Sequence, residues 1–148
     1  MKTSWKNDEL QGEEKVPELM QVIALELDMY IDMNDESQIE ETLGVLKHFE
    51  SLKPDLKTAA IMKECEGKIK MNNQEWEAAM NEFWESFTRL AQCNDEKAQV
   101  LLQYVMFASI LAQSQIDYLS HKLAESYTMN AQILDLRSLK EDFDAGRT

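Results

Sequence analysis

Glycine is scarce, four in 148 residues, and proline scarcer still, with two. A chain so poor in turn-formers has little with which to build the many tight turns of an all-β fold. Basic residues are outnumbered too: 15 Lys and Arg stand against 28 Asp and Glu, a formal net charge of −13. That balance opposes phosphate binding over the general surface, so no nucleic-acid partner is expected. The two cysteines, Cys65 and Cys93, form no CxxC pair, and none of the seven asparagines stands in an Asn-x-Ser/Thr site, which suits a reducing compartment. Long apolar runs are missing as well. The longest, Leu101–Ala112, is too short to span a bilayer, and the opening residues turn acidic at Asp8-Glu9 where a secretory leader needs its apolar core. A soluble intracellular protein with no membrane partner is expected.

Several chemistries lack their residues. His48 and His121 lie 73 positions apart, with no Glu-x-x-His or His-Glu-x-x-His, so no metal centre is expected. Cys65 stands in Met62-Lys63-Glu64-Cys65-Glu66-Gly67, where adjacent carboxylates oppose thiolate formation. No Gly-rich phosphate loop occurs, and no cofactor is expected. The string Asp32-Met33-Asn34-Asp35-Glu36 imitates the start of an EF-hand calcium loop. It fails where that loop needs Gly and a bidentate carboxylate, because Ser37 and Leu43 stand there.

What remains is apolar residues at helical spacing, 44% of the chain being hydrophobic. Residues 1–15 show little periodicity and read as a flexible acidic lead-in, followed by a helical-repeat domain over 16–146. Leu19, Val22, Ile23, Leu27, Tyr30 and Ile31 mark a first helix from Val16, with Pro17 in its first turn. A second is predicted over about Ser37–Ser51, with Asp35 or Ser37 as cap. A third runs from Lys53-Pro54-Asp55 to about Met71, and a fourth from about Gln74 to Gln92 with a wide apolar face. A fifth, about Glu96 to Ala112 with Asn94 or Asp95 as cap, is apolar almost all round and belongs inside. Two more are predicted over about Gln115–Tyr127 and Ala131–Phe143.

The hairpins repeat weakly. An offset of 40 lays Glu26 on Glu66, Leu27 on Gly67, Ile31 on Met71, Ile39 on Ala79, Leu43 on Phe83 and Leu46 on Ser86. Gly67, Ala79, Phe83 and Ser86 have the small-and-large spacing of a tetratricopeptide-type hairpin, where a small residue lets two helices approach and an aromatic fills the groove. The predicted fold is all-α, an α-α superhelix of tetratricopeptide-like hairpins. Lys53, Lys57, Lys63, Lys68 and Lys70 cluster near the third helix and are candidates to meet an acidic partner, against the plainer reading of a solvated face. The Met and aromatic positions, among them Trp76, Trp84 and Phe87, are expected in the core. On residues alone, a helical catalyst using His48 or Cys65 and an acidic adaptor that binds amphipathic helices stay open beside a scaffold.

Glu64-Cys65-Glu66-Gly67-Lys68, Trp76-Glu77-Ala78-Ala79 and Phe83-Trp84-Glu85-Ser86-Phe87 resemble the subunit-two family of the constitutive photomorphogenesis (COP9) signalosome. Ala24-Leu25-Glu26-Leu27-Asp28-Met29-Tyr30 upstream, and Gln103 to Ala112 with Ile133-Leu134 downstream, extend the resemblance over about residues 8–146. The Rpn-six-type subunit of the proteasome lid shares the pattern around Trp76–Phe87. The resemblance implies a non-catalytic scaffold of cytoplasm and nucleus. Its partners would be other signalosome subunits and the cullin–RING ubiquitin ligase, with removal of Nedd8 performed by a metalloprotease in another subunit. It also implies a partial chain, without the family's PCI winged-helix domain. Two local departures stand out: Glu66 replaces the first glycine of the family's Gly-Gly pair, and the family's basic turn after Tyr30 is acidic here, with Asp35, Glu36, Glu40 and Glu41.

Overall fold

A computed structural model describes residues 16–146; the lead-in expected over 1–15 lies outside the described residues. Among these residues there are six α-helices and no strand: α1 (Val16–Asp32), α2 (Glu36–Glu50), α3 (Leu56–Asn72), α4 (Trp76–Gln92), α5 (Ala98–Ala112) and α6 (Ala131–Ala145). Three of the starts are closed by a capping side chain. The Asp35 carboxylate accepts from the Gln38 N–H and that of Asp55 from the Thr58 N–H, while the Asn130 side chain accepts from Gln132 and Ile133. Pro54 stands just before the Asp55 cap, where its missing N–H costs α3 nothing.

The helix ends repeat more regularly than the helices. Asn34, Lys53, Gln74, Asn94 and Gln113 all adopt the left-handed backbone conformation, at successive spacings of 19, 21, 20 and 19 residues. At four of the five, two backbone bonds close the turn. Asn34 donates to Ile31 O and Asp35 to Tyr30 O; Gln74 and Glu75 repeat the pattern to Met71 and Lys70, Asn94 and Asp95 to Ala91 and Leu90, and Gln113 and Ser114 to Ile110 and Ser109. This is the Schellman closure, made without a single glycine. At Lys53 only the shorter bond forms, because the next residue, Pro54, has no N–H to give.

Helices α1, α3 and α5 carry the inner layer, and α2 and α4 the outer. α1 and α3 lie parallel: the pocket shared by their starts contains Pro17, Gln21 and Thr58, and the one shared by their ends contains Ile31, Asp32, Met71 and Asn72. α4 packs along both α3 and α5, and its Ala79, Met80, Phe83, Phe87 and Leu90 are buried.

The third hairpin departs from expectation. Residues 115–127 form no α-helix but two 3-10 turns, Tyr118–Ser120 and Lys122–Tyr127, pinned on α4 by the Trp84–Tyr118 and Phe87–Tyr127 ring contacts at 4.7 and 5.6 Å. The connection crosses back, so α6 runs parallel to α5: Gln103 bonds Gln132, and Lys140 Nζ reaches Ser114 O at the far end. Inside–outside assignment differs at several positions; of the Met and aromatic side chains expected in the core, Met29, Met33, Met129 and Phe143 are exposed. Val22 is 49% exposed where Met20 is buried, and Phe107 is 48% exposed although α5 is otherwise internal. α5 also begins at Ala98, later than expected, because Asp95 accepts from the Lys97 N–H across an intervening turn.

Candidate partner-binding groove

Gly67 on α3 faces Phe83 on α4. A Cβ built at Gly67 would fall 2.5 Å from Phe83 Cε1, a distance no real side chain tolerates, so glycine is needed there for close approach. Ala79 is fully buried one turn before Phe83. Ser86, also buried, donates from Oγ to Ala60 O of α3 at 2.7 Å. These four residues bring α3 and α4 together.

With Phe83 seated in the space over Gly67, its ring meets Tyr104 of α5 at 5.2 Å and floors a groove between α3 and α5. This upper groove, about 620 Å³, is lined by Ile31, Met71, Phe83, Tyr104 and Phe107, with Asp28, Asp32, Lys68 and Asn72 at its rim. A lower groove of about 480 Å³ adjoins it between α1, α3 and the α4–α5 turn, sharing Asp28 and Lys68 with the first. Leu25, Ile61 and Leu90 give it an apolar wall, and Asp55, Lys57, Glu64, Asp95 and Lys97 a charged one.

Charge on this face is largely matched within the chain. Lys68 Nζ lies 2.9 Å from Asp28 Oδ1 and 3.1 Å from Glu64 Oε2, while Lys97 Nζ lies 2.8 Å from Glu64 Oε1. Each oxygen of the Glu64 carboxylate thus faces a different ammonium. Burial by itself would lower the pKa of the Lys68 ammonium; Glu64 and Asp28 outweigh it and hold the group above the usual lysine range. Asp95 is held low, first by the backbone N–H of Lys97, then by Lys57, 3.2 Å away.

The five candidate lysines are therefore not one stripe. Lys57 and Lys68 point to the inner groove, each already paired with a carboxylate. Lys63 turns towards α4, within 3.5 Å of Glu66, Glu82 and Glu85. There burial and the neighbouring Glu82 outweigh Lys63 and push the Glu66 carboxyl up to about 7. Lys53 sits exposed in its left-handed turn, and Lys70 is half-buried near the end of α3.

The catalytic candidates find no machinery. Burial, then Glu64, pushes the Cys65 thiol up to about 12, which leaves it protonated and unreactive at neutral pH. His121 Nδ1 accepts from the Leu123 N–H and its ring stands edge-on to Trp84; His48 packs edge-on against Phe49. Among the described residues no cluster of His, Cys, Asp and Glu is arranged to hold a metal ion.

Sequence reading missed the groove itself, since Met71, Tyr104 and Phe107 fit a core pattern equally well. It also passed over Asp28 and Glu64. The available signal was the 40-residue offset, which sets Asp28 opposite Lys68 with reversed charge.

Fold and groove define an all-helical repeat chain with a grooved inner face. No family model matches the chain. It is similar over most of its length to COP9 signalosome subunit 2: 24% identical over 137 residues to that of Schizosaccharomyces pombe, covering 93% of this chain and 31% of the relative. The corresponding subunit of Dictyostelium discoideum is 26% identical over 132 residues, 89% of this chain and 29% of the relative. For Drosophila melanogaster the identity is 24% over 129 residues, 87% and 29%. The chain thus spans less than a third of the length of these curated relatives.

Proposed function

We propose that this chain is a non-catalytic scaffold element of a COP9 signalosome, supporting assembly with other signalosome subunits and engaging cullin–RING ubiquitin ligases for deneddylation, in cytoplasm and nucleus. The observation that carries the reading is the similarity to signalosome subunit 2 from several organisms across 84–97% of the chain. The helical-repeat architecture supports it, because stacked hairpins offer an extended face to neighbours and no pocket built for chemistry. Residues 16–146 act in this reading as one repeat domain, with Gly67, Ala79, Phe83 and Ser86 setting the spacing of its central hairpin. Of the lysines, Lys53 and Lys70 lack a carboxylate partner among the described residues and are the ones left to meet an acidic group on a partner.

The test is affinity purification of the tagged endogenous protein, with identification of co-purifying subunits and an assay of cullin deneddylation. Signalosome subunits are expected. Recovery of proteasome-lid subunits would instead favour an Rpn-six-like scaffold, and recovery of the chain alone would favour an autonomous acidic adaptor.

A further inference from the structure

We propose that the inner groove between α1, α3 and α5 is a docking site for a basic amphipathic helix of a partner protein. The proposal stands on the groove alone, whether or not the chain works within a signalosome.

The first ground is shape. Upper and lower grooves share Asp28 and Lys68 and follow α3 from Thr58 to Met71, about 20 Å at helical rise. That is the length of a helix of about 13 residues. Phe107, 48% exposed on a helix whose other large apolar side chains are mostly covered, stands at the mouth of the upper groove, with Phe83 as its floor. An apolar side chain inserted there would meet Ile31, Met71 and two aromatic rings, the surroundings of an interface anchor.

The second ground is unspent charge. Five carboxylates line the two grooves (Asp28, Asp32, Asp55, Glu64, Asp95) against three ammonium groups (Lys57, Lys68, Lys97). All three lysines are neutralised within the chain. Asp32 and Asp55 are exposed and have no cation within reach among the described residues. α1 ends beside Asp32 without a basic residue in its last turn, so the negative end of the helix dipole adds to that rim. The free sign on this face is negative, and the ligand it selects is positive.

The third ground is an unpartnered polar atom. Thr58 Oγ1 lines the lower groove in a side chain 1% exposed and has no hydrogen-bond partner among the described residues, whereas the Glu64 carboxylate in the same lining already faces Lys68 and Lys97. The hydroxyl oxygen can accept, and an inserted ammonium or guanidinium supplies donors only. A helix with an apolar anchor and lysine or arginine on its flanks therefore answers all three features at once.

The probe is a fluorescein-labelled 18-residue helical peptide of leucine, tryptophan and lysine, titrated into the full chain, beside the same peptide with glutamate in place of lysine. Saturable binding is expected for the lysine peptide, weaker by about tenfold or more for the glutamate one, and falling with added salt. The double variant Asp32→Asn/Asp55→Asn, in which asparagine keeps the cap at position 55, should weaken the lysine peptide several-fold, and Phe107→Ser likewise. Glu36→Gln/Glu40→Gln, on exposed positions of α2, should leave it unchanged. Equal binding of both peptides, no saturable binding, or an equal loss from the α2 variant would overturn the proposal. Circular dichroism of each variant separates loss of binding from loss of fold.

Discussion

The first and second hairpins occupy the same register 40 residues apart and fill it differently. In the first, α1 brings Leu27 and α2 brings Ile39, Leu43 and Leu46, four aliphatic side chains of similar size. In the second, α3 brings Gly67 and α4 brings Ala79, Phe83 and Ser86, so three positions shrink, the one large side chain is a ring, and the helices close up around it. The register is kept while the side-chain volume between the helices falls, because a closer approach takes up the difference. Only the hairpin with the large ring presents an aromatic floor to the space before α5. Glycine shows the same contrast: Gly67 is shut in by Phe83, whereas Gly44 on α2 has nothing within 4 Å of where a Cβ would be.

The largest way to break the contrast is Phe83→Ala, which removes the ring of a side chain only 3% exposed. It should cost about 3–5 kcal/mol in denaturant unfolding and open the groove floor. Gly67→Leu should cost on the order of 1–3 kcal/mol by overpacking, and a neutral result would mean that the ring moves aside at no cost. Joined to Phe83→Leu it places leucine at both positions, as Leu27 and Leu43 stand in the first hairpin. The double variant should then recover on the order of 1 kcal/mol relative to the sum of the single changes.

Glu66, opposite Glu26 in the offset, sharpens the comparison through pH. Its folded pKa of about 7 lies above the ordinary 4.5, so between those values the native state holds a proton that the unfolded chain has released. Stability from this group is thus present at low pH and lost as pH rises through about 7. Glu66→Gln should flatten that slope and gain on the order of 1–2 kcal/mol at pH 8, measured as the difference between the two stability–pH curves. The smallest effect is Gly44→Ala, expected to raise stability by about 0.5–1 kcal/mol because the exposed helical site has room and alanine loses less backbone freedom.

Much of the fold was legible because α1 to α5 are strongly periodic and bounded by Asp35, Asp55, Pro54 and the Asn-rich turns. The Gly67–Phe83 spacing was legible for the same reason: helical period fixes which residues can meet, and only one small–large pairing was offered. Residues 115–127 were misread because Tyr118, Leu119, Leu123 and Tyr127 fit a helical stripe, while their burial against Trp84 and Phe87 is won by a tighter path. That outcome depends on tertiary contact, which a local pattern does not carry. How the lysines divide between faces was not legible because sequence shows their number and not their partners: Asp28 and Glu82 come from other helices and Asp95 from the α4–α5 turn.

The evenly spaced turns also bear on how the chain reaches its structure. Among the described residues, ring contacts and ion pairs that join the elements reach no further than two helices along the chain: Asp28 to Lys68 and Phe87 to Tyr127 span 40 residues, Lys57 to Asp95 spans 38, and Glu64 to Lys97 spans 33. No distant end has to be found before a neighbouring hairpin can close, so the entropic cost of closing loops stays small at every stage. A chain so organised can assemble one hairpin upon the next.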